Sequence, residues 1–228
     1  LRGDAEGFDA IHVHDWQAAL VPALVDHAGL EVGTVLTVHD GQRSGRFDGG
    51  LAAELDLAPK IAEALALDDA LAFLQAGVHL ADRVTTVSPT YARQLTEDAA
   101  GLEAAFAARG KDLSGITGGV DVAVWNPATD AHLPARFDPV DLGGKARCKA
   151  AFQQALELPM RDDVALVGVV GPLHPRSGLD VLARVVSRLM RNDVQLVVLG
   201  EGPREEALAS VLREHQKRWP DRLQVRPG

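Results

Sequence analysis

The residues best suited to chemistry fall at two places. Ile11–Trp16 reads IHVHDW, and Thr37–Asp40 reads TVHD. Asp9–His14 alternates as a strand does, and Val35–Val38 is an apolar strand. His14-Asp15 and His39-Asp40 are therefore expected at strand C-termini, where loops of parallel α/β sheets take their ligands. A neutral imidazole there can donate and accept a hydrogen bond at once; its plainer use is a bond to nearby backbone. Asp15 directly precedes a helical pattern, so its carboxylate could cap the first amides of that helix. His12 and His14 would share one sheet face. Two imidazoles without a third ligand do not make a metal site, so no metal is expected. Gly200-Glu201-Gly202-Pro203 follows an apolar strand and opens a helix. Such a turn could seat a phosphate at the helix N-terminus, or it could be a tight strand-to-helix turn.

The elements that must position these residues alternate between strand and helix. After Asp9–His14, the residues Trp16, Ala19, Leu20, Ala23, Leu24 and His27 fall on one helical face. With Val35–Val38 this makes a β-α-β unit, which favours a parallel sheet. Arg43–Gly50 reads as a Gly-rich loop, Glu54–Ala66 as a helix, and Asp69–Leu80 as a clearer helix with Leu71, Leu74 and Val78 inward. Arg83–Val87 is a short β-branched strand. Ser88 before Pro89 predicts a capped helix start, continued by Tyr91–Leu95. Leu102–Arg109 reads as a helix, Leu113–Val120 as a strand ending in Gly118-Gly119, and Asn126-Pro127 as an exit turn. Asp138–Leu156 gives a helix. The unbroken apolar run Val164–Val170 predicts a strand buried on both faces. A helix carrying Leu179, Leu182, Ala183, Val186 and Leu189 follows, then a buried strand at Val194–Leu199. A helix through Lys217 and a strand at Leu223–Val225 complete the pattern. The fold class is α/β.

Composition narrows the partners. The chain has 228 residues, 46% of them apolar, and a formal net charge of −9. That charge disfavours nucleic acid and anionic membrane surfaces. The single cysteine, Cys148, excludes an internal disulfide and a multi-cysteine zinc site; it falls within a helical pattern and reads as inert. No apolar run is long enough to span a bilayer and no leader pattern is seen, so a soluble cytoplasmic protein is expected.

Two stretches point further. Ala81–Leu95 reads ADRVTTVSPTYARQL and Leu113–Asp130 reads LSGITGGVDVAVWNPATD. They closely resemble the bacterial glycogen (starch) synthases, whose segments run ADxVTTVSPTYAxE and LSGILNGIDxxxWNPxTD. The resemblance implies the GT-B glycosyltransferase architecture, here as two incomplete Rossmann-like domains. Residues 1–120 would form the later part of the N-terminal, acceptor-side domain, and 121–228 the first part of the C-terminal, donor-side domain. It also implies transfer of glucose from ADP-glucose to an α-1,4-glucan with retention, in glycogen biosynthesis, without a cofactor.

By that resemblance His39, which matches the histidine of the family's TVHN motif, is the catalytic-site residue and bonds a hydroxyl of the transferred glucose. Asp15 matches the acid of the HDW motif near the acceptor; His14, Gly119, Arg176, Gly200 and Gly202 complete the expected substrate-binding set. The departures are equally specific. Gly118 stands where the family has Asn before the hinge Gly. The family's SRLTxQKG loop is here Gly171–Gly178, with Pro172 in place of the Arg and Ser177 in place of the Lys that stabilise the leaving diphosphate. Arg176 stands one position before the lost Lys. The family's Lys-x-Gly-Gly-Leu loop and Glu-x7-Glu segment have no counterpart in this stretch. A second function therefore stands beside the first: a truncated, inactive remnant or glucan-binding pseudoenzyme. Its truncated edges are expected to self-associate. A dinucleotide-binding domain, the third reading, lacks a G-x-G-x-x-G after its first strand.

Overall fold

The computed structural model describes residues 7–172, 177–200 and 206–227. The chain forms two compact units, Leu1–Gly119 and Val120–Gly228. In chain order the first unit contains β1 (Ala10–His14), α1 (Asp15–Ala18), α2 (Val21–His27), β2 (Gly33–Val38) and β3 (Arg46–Asp48). It continues with α3 (Leu51–Glu54), α4 (Pro59–Leu65), β4 (Ala66–Leu67), β5 (Ala70–Ala72) and α5 (Phe73–Leu80). It ends with β6 (Arg83–Thr86), α6 (Pro89–Leu95), α7 (Glu103–Ala108) and β7 (Leu113–Gly115).

Strands β1, β2, β6 and β7 form one parallel sheet in the order β1-β2-β6-β7. Period-two alternation selects its core face. Val13, Leu36, Val38 and Val84 are buried beneath Leu74 and Val78 of α5 and Phe106 of α7. On the opposite face lie His12, His14, Thr37 and Thr85. Two locks hold these strands in register. The Asp82 carboxylate accepts from the Thr34 amide (2.6 Å) and the Thr34 hydroxyl (2.9 Å). Arg109 donates to the carbonyls of His79, Ala81 and Asp82, closing the C-terminus of α5. Ser88 caps α6 as expected, its hydroxyl accepting from the Tyr91 amide at 3.0 Å with Pro89 in the first turn.

Several expected elements differ. The first helix is two, α1 and α2. Pro22 cannot donate to a carbonyl one turn back, so the chain restarts with Pro in a first turn, and His27 is exposed rather than inward. The expected helix from Asp69 begins at Phe73, because Ala70–Ala72 pairs antiparallel with Arg46–Asp48 and with Ala66–Leu67. The stretch read as a Gly-rich loop thus supplies a strand to a small sheet, β3-β5-β4. The helix expected over 54–66 covers only Pro59–Leu65 of that span beyond the end of α3. Strand β7 stops at Gly115, and Ile116 and Val120 are exposed.

The second unit contains α8 (Gly143–Ala155), β8 (Ala165–Val170), α9 (Leu179–Leu189), β9 (Val194–Gly200), α10 (Glu206–Arg218) and β10 (Leu223–Pro227). Its parallel sheet runs β10-β9-β8. Leu179 and Val186 of α9 and Leu212 of α10 pack on Leu196, Val198, Leu223 and Val225. Ahead of α8, Asn126 makes the expected turn, its side chain accepting from the Ala128 amide at 3.0 Å. Strand β8 is an edge strand among the described residues, not one buried on both faces: Val170 is 79% exposed. Its apolar run reflects the strand type of a parallel sheet, while its place at the edge leaves one side uncovered. No helix among the described residues is long and apolar enough to cross a membrane.

Candidate functional site

Parallel pairing places His14 opposite Thr37, so β1 and β2 end together. His14, Asp15, His39 and Asp40 consequently gather at the C-terminal rim of the first sheet, and the His39 side chain is solvent-exposed rather than packed in the core. Here β1 turns into α1 without an intervening loop. That turn puts Asp15 at φ 53°, in the left-handed region where a residue with a Cβ is uncommon.

Asp15 does not cap α1. The cap position is His14, whose side chain makes no capping bond. The sharp turn instead aims the Asp15 carboxylate across the rim, where Oδ1 accepts from the His39 amide at 2.7 Å and the Asp40 amide at 3.3 Å. The following amides are also held. Gly41 donates to the Tyr91 phenol oxygen (2.9 Å), Gln42 to Asp40 Oδ1 (3.0 Å), and Arg43 to the Asp40 carbonyl (3.2 Å). Five consecutive amides after β2 thus have partners. Asp40 also pairs with the Arg43 guanidinium at 3.3 Å, and Gln42 Nε2 donates to the Asp98 carboxylate at 3.0 Å. Sequence reasoning placed Tyr91 only in a helix. Its hydroxyl on the first turn of a capped helix was the available signal for a second contact.

Histidine rings form a ladder beside this loop. His14 Nδ1 and His39 Nε2 are 3.1 Å apart, so one ring nitrogen donates and the other accepts. The His12 and His14 rings lie 4.5 Å apart between centroids. His12 Nε2 meets the Thr37 hydroxyl at 2.7 Å, and Thr37 meets the Thr85 hydroxyl at 2.6 Å. His12 and His14 therefore share a face, as the alternation requires. Among the described residues no group of three His, Cys, Asp or Glu side chains is placed to hold a metal ion.

Of the other sequence-selected residues, Gly119 and Gly200 are described. Gly119 is exposed, with open space where a Cβ would stand. Gly200 ends β9, is buried, and is in register with Pro227. Arg176 and Gly202 lie outside the described residues. Of their loop, Pro172 and Ser177 are described and exposed, and Gly178 turns at φ 74° to open α9. A pocket of about 770 Å3 in the second unit is lined by Leu133, Phe137, Phe152, Val164 and Leu166. None of the described candidate site residues lines it. Cys148, at its wall, donates to the Ala135 carbonyl at 3.1 Å.

Comparison with known proteins adds four findings. Residues 1–108 match the family model of the starch synthase catalytic domain. A glycogen synthase of Anaeromyxobacter sp. strain Fw109-5 is 42% identical over 96% of this chain and 48% of its own length. Glycogen synthase 2 of Bradyrhizobium diazoefficiens is 40% identical over 86% of this chain and 42% of its own length. Among solved structures, the catalytic domain of Starch Synthase IV from Arabidopsis thaliana, bound to ADP and acarbose, superposes with a TM-score of 0.82. It is 28% identical and covers 96% of this chain and 48% of its own. The chain spans about half the length of the curated relatives it matches. In sequence and in its α/β fold with parallel sheets, the chain is related to the glycogen and starch synthases.

Proposed function

We propose that this chain is the central portion of a glucosyltransferase that moves glucose from ADP-glucose to an α-1,4-glucan with retention. The observation that carries the reading is the 42% identity to a glycogen synthase over 96% of the chain. In it, residues 1–120 serve the acceptor side and 121–228 the donor side. His39, exposed on the sheet rim at the start of a loop whose amides are paired, bonds a hydroxyl of the transferred glucose. Gly119, Arg176, Gly200 and Gly202 belong to the sugar and diphosphate subsites.

Pro172 and Ser177 favour a second reading, a glucan-binding pseudoenzyme. Glycosyl transfer builds negative charge on the departing diphosphate. Loss of one preorganised charge-stabilising donor costs about 2.7–4 kcal/mol, roughly 10²–10³ in rate. Self-association through the exposed β8 edge, where Val170 and Val167 are uncovered, belongs to the same proposal.

The test is incorporation of labelled glucose from ADP-glucose into glycogen by the purified chain, with calorimetric titration of maltoheptaose and light scattering on the same preparation. The glucosyltransferase reading expects maltoheptaose binding and slow incorporation that the His39→Ala variant abolishes. Binding with no incorporation selects the pseudoenzyme. Failure to bind maltoheptaose, with no incorporation, overturns both, and a monodisperse monomer removes the self-association.

A further inference from the structure

We propose that Asp15 and His14 are positioning residues that preset His39, and that the Asp15 carboxylate serves the backbone of the β2 loop rather than a glucan hydroxyl. The proposal rests on His39 being the sugar-contacting residue, but its geometry is independent of any ligand.

Three observations carry it. First, Asp15 occupies a left-handed conformation at φ 53°. Such a conformation persists in a residue other than glycine only where the surroundings impose it. What it gains is reach: the side chain leaves the helix it begins and meets two amides of a neighbouring strand's loop. Second, those amides belong to His39 and Asp40, the two residues whose side chains stand at the rim. The later amides of the loop are held by Tyr91 and Asp40, so only the segment carrying the His39 ring depends on Asp15. A carboxylate accepting two backbone N–H bonds fixes a loop more firmly than neutral acceptors do, because charge-assisted bonds are about twice as strong.

Third, His14 engages one specific nitrogen of His39. With Nε2 bonded to His14 Nδ1, Nδ1 of His39 is the nitrogen left for a sugar hydroxyl. The bond partner of one ring nitrogen sets the protonation of the other, so His14 sets whether His39 donates or accepts there. The His14 ring in turn lies 4.5 Å from the His12 ring, and His12 is held by the Thr37–Thr85 hydroxyl pair. Two adjacent residues of one turn thus fix the backbone and the tautomer of a third.

The experiment uses the 228-residue chain labelled with ¹⁵N, free of ligand for the exchange and shift measurements and titrated with maltoheptaose afterwards. Glycine suits φ 53° and lacks a carboxylate, so Asp15→Gly removes the clamp without adding backbone strain. It should speed amide exchange at His39 and Asp40 by about tenfold or more, the equivalent of a charge-assisted hydrogen bond. The Gly41 and Gln42 amides should keep their protection. Asp15→Asn retains a neutral acceptor oxygen and should restore part of the protection. His14→Ala should change the ring ¹⁵N shifts of His39, which report its tautomer, and leave the two amides as they were. Unchanged exchange at His39 and Asp40 in Asp15→Gly overturns the clamp. So does a loss of maltoheptaose binding in that variant with unchanged amides, which would make Asp15 a direct ligand. Unchanged ring shifts in His14→Ala overturn the role of His14. Failure of the functional reading appears separately, as absence of glucan binding in the unaltered chain.

Discussion

Replacing Gln195 by Leu measures how far the second unit depends on one buried polar pair. Gln195 in β9 and Gln153 in α8 are each 1% exposed. Gln153 Nε2 donates to Gln195 Oε1 at 2.6 Å and to the Arg161 carbonyl at 3.0 Å. Gln195 Nε2 donates to the Pro159 carbonyl at 2.8 Å. The pair therefore ties the 159–161 turn to the sheet that α8 covers. Gln195→Leu strands the Pro159 carbonyl and takes one acceptor from Gln153. Leaving a buried polar group unpaired costs about 1–3 kcal/mol, and added apolar burial returns about 1 kcal/mol. The expected loss is about 2 kcal/mol. Gln153→Leu strands the Arg161 carbonyl and Gln195 Oε1, with a loss of about 2–3 kcal/mol. The double variant strands two carbonyls but no side-chain group, so it should lose only about 3 kcal/mol. The coupling is then about 1–2 kcal/mol, within the range for residues in one hydrogen-bonded network. Urea unfolding followed by Trp219 fluorescence in a Trp16→Phe background reads the second unit, because Trp219 packs on its core while Trp125 is 74% exposed. Additive losses, within about 0.5 kcal/mol, would refute the network and leave two independent amides.

The bonds from Thr34, helped by the nearby Arg109 and Arg83 charges, hold the Asp82 carboxyl below its ordinary value. A depressed native value means that its contribution is complete above about pH 3.9, the ordinary aspartate value, and is lost as pH falls through the native one. Asp82→Asn should therefore flatten the acid limb of stability below about pH 4, measured as urea midpoints across that range; an unaltered limb would show that the Thr34 lock contributes nothing. Gly45 turns at φ 63°, and a Cβ there would stand 2.5 Å from Trp16 Cε3. Gly45→Ala should lower the melting temperature by the equivalent of about 1–3 kcal/mol and shift the Trp16 emission. A melt and an emission like those of the parent would place the ring elsewhere.

The periodic strands and the capped helix were legible in the sequence, while contacts between distant segments were not. Thr34-Val-Leu-Thr-Val38 and Arg83–Thr86 alternate, so their buried faces follow from the pleat alone. Ser88-Pro89 announces its helix by a cap that bonds within three residues. The small antiparallel sheet failed this kind of reading. Leu71, Leu74 and Val78 are inward on a helical count, and all three are indeed buried. What makes Ala70–Ala72 a strand is its pairing with Arg46–Asp48, which no local pattern records. The β8 run likewise carried the composition of a central strand, but edge or centre is a property of the neighbours.

The site divides in the same way. The sequence by itself placed His14, Asp15, His39 and Asp40 at strand ends, because alternation and the β-α-β order fix where parallel strands stop. It left Asp15 between a helix cap and a ligand contact. Only the tertiary structure took Asp15 away from the cap, by pairing β1 with β2 so that Asp15 Oδ1 came within 2.7 Å of the His39 amide and His14 Nδ1 within 3.1 Å of its ring. The physical reason is that a hydrogen bond is specified by the approach of two groups within about 3 Å. For residues separated by 24 positions in the chain, that approach is set by strand register and by the turn at Asp15, neither of which is a property of either residue alone.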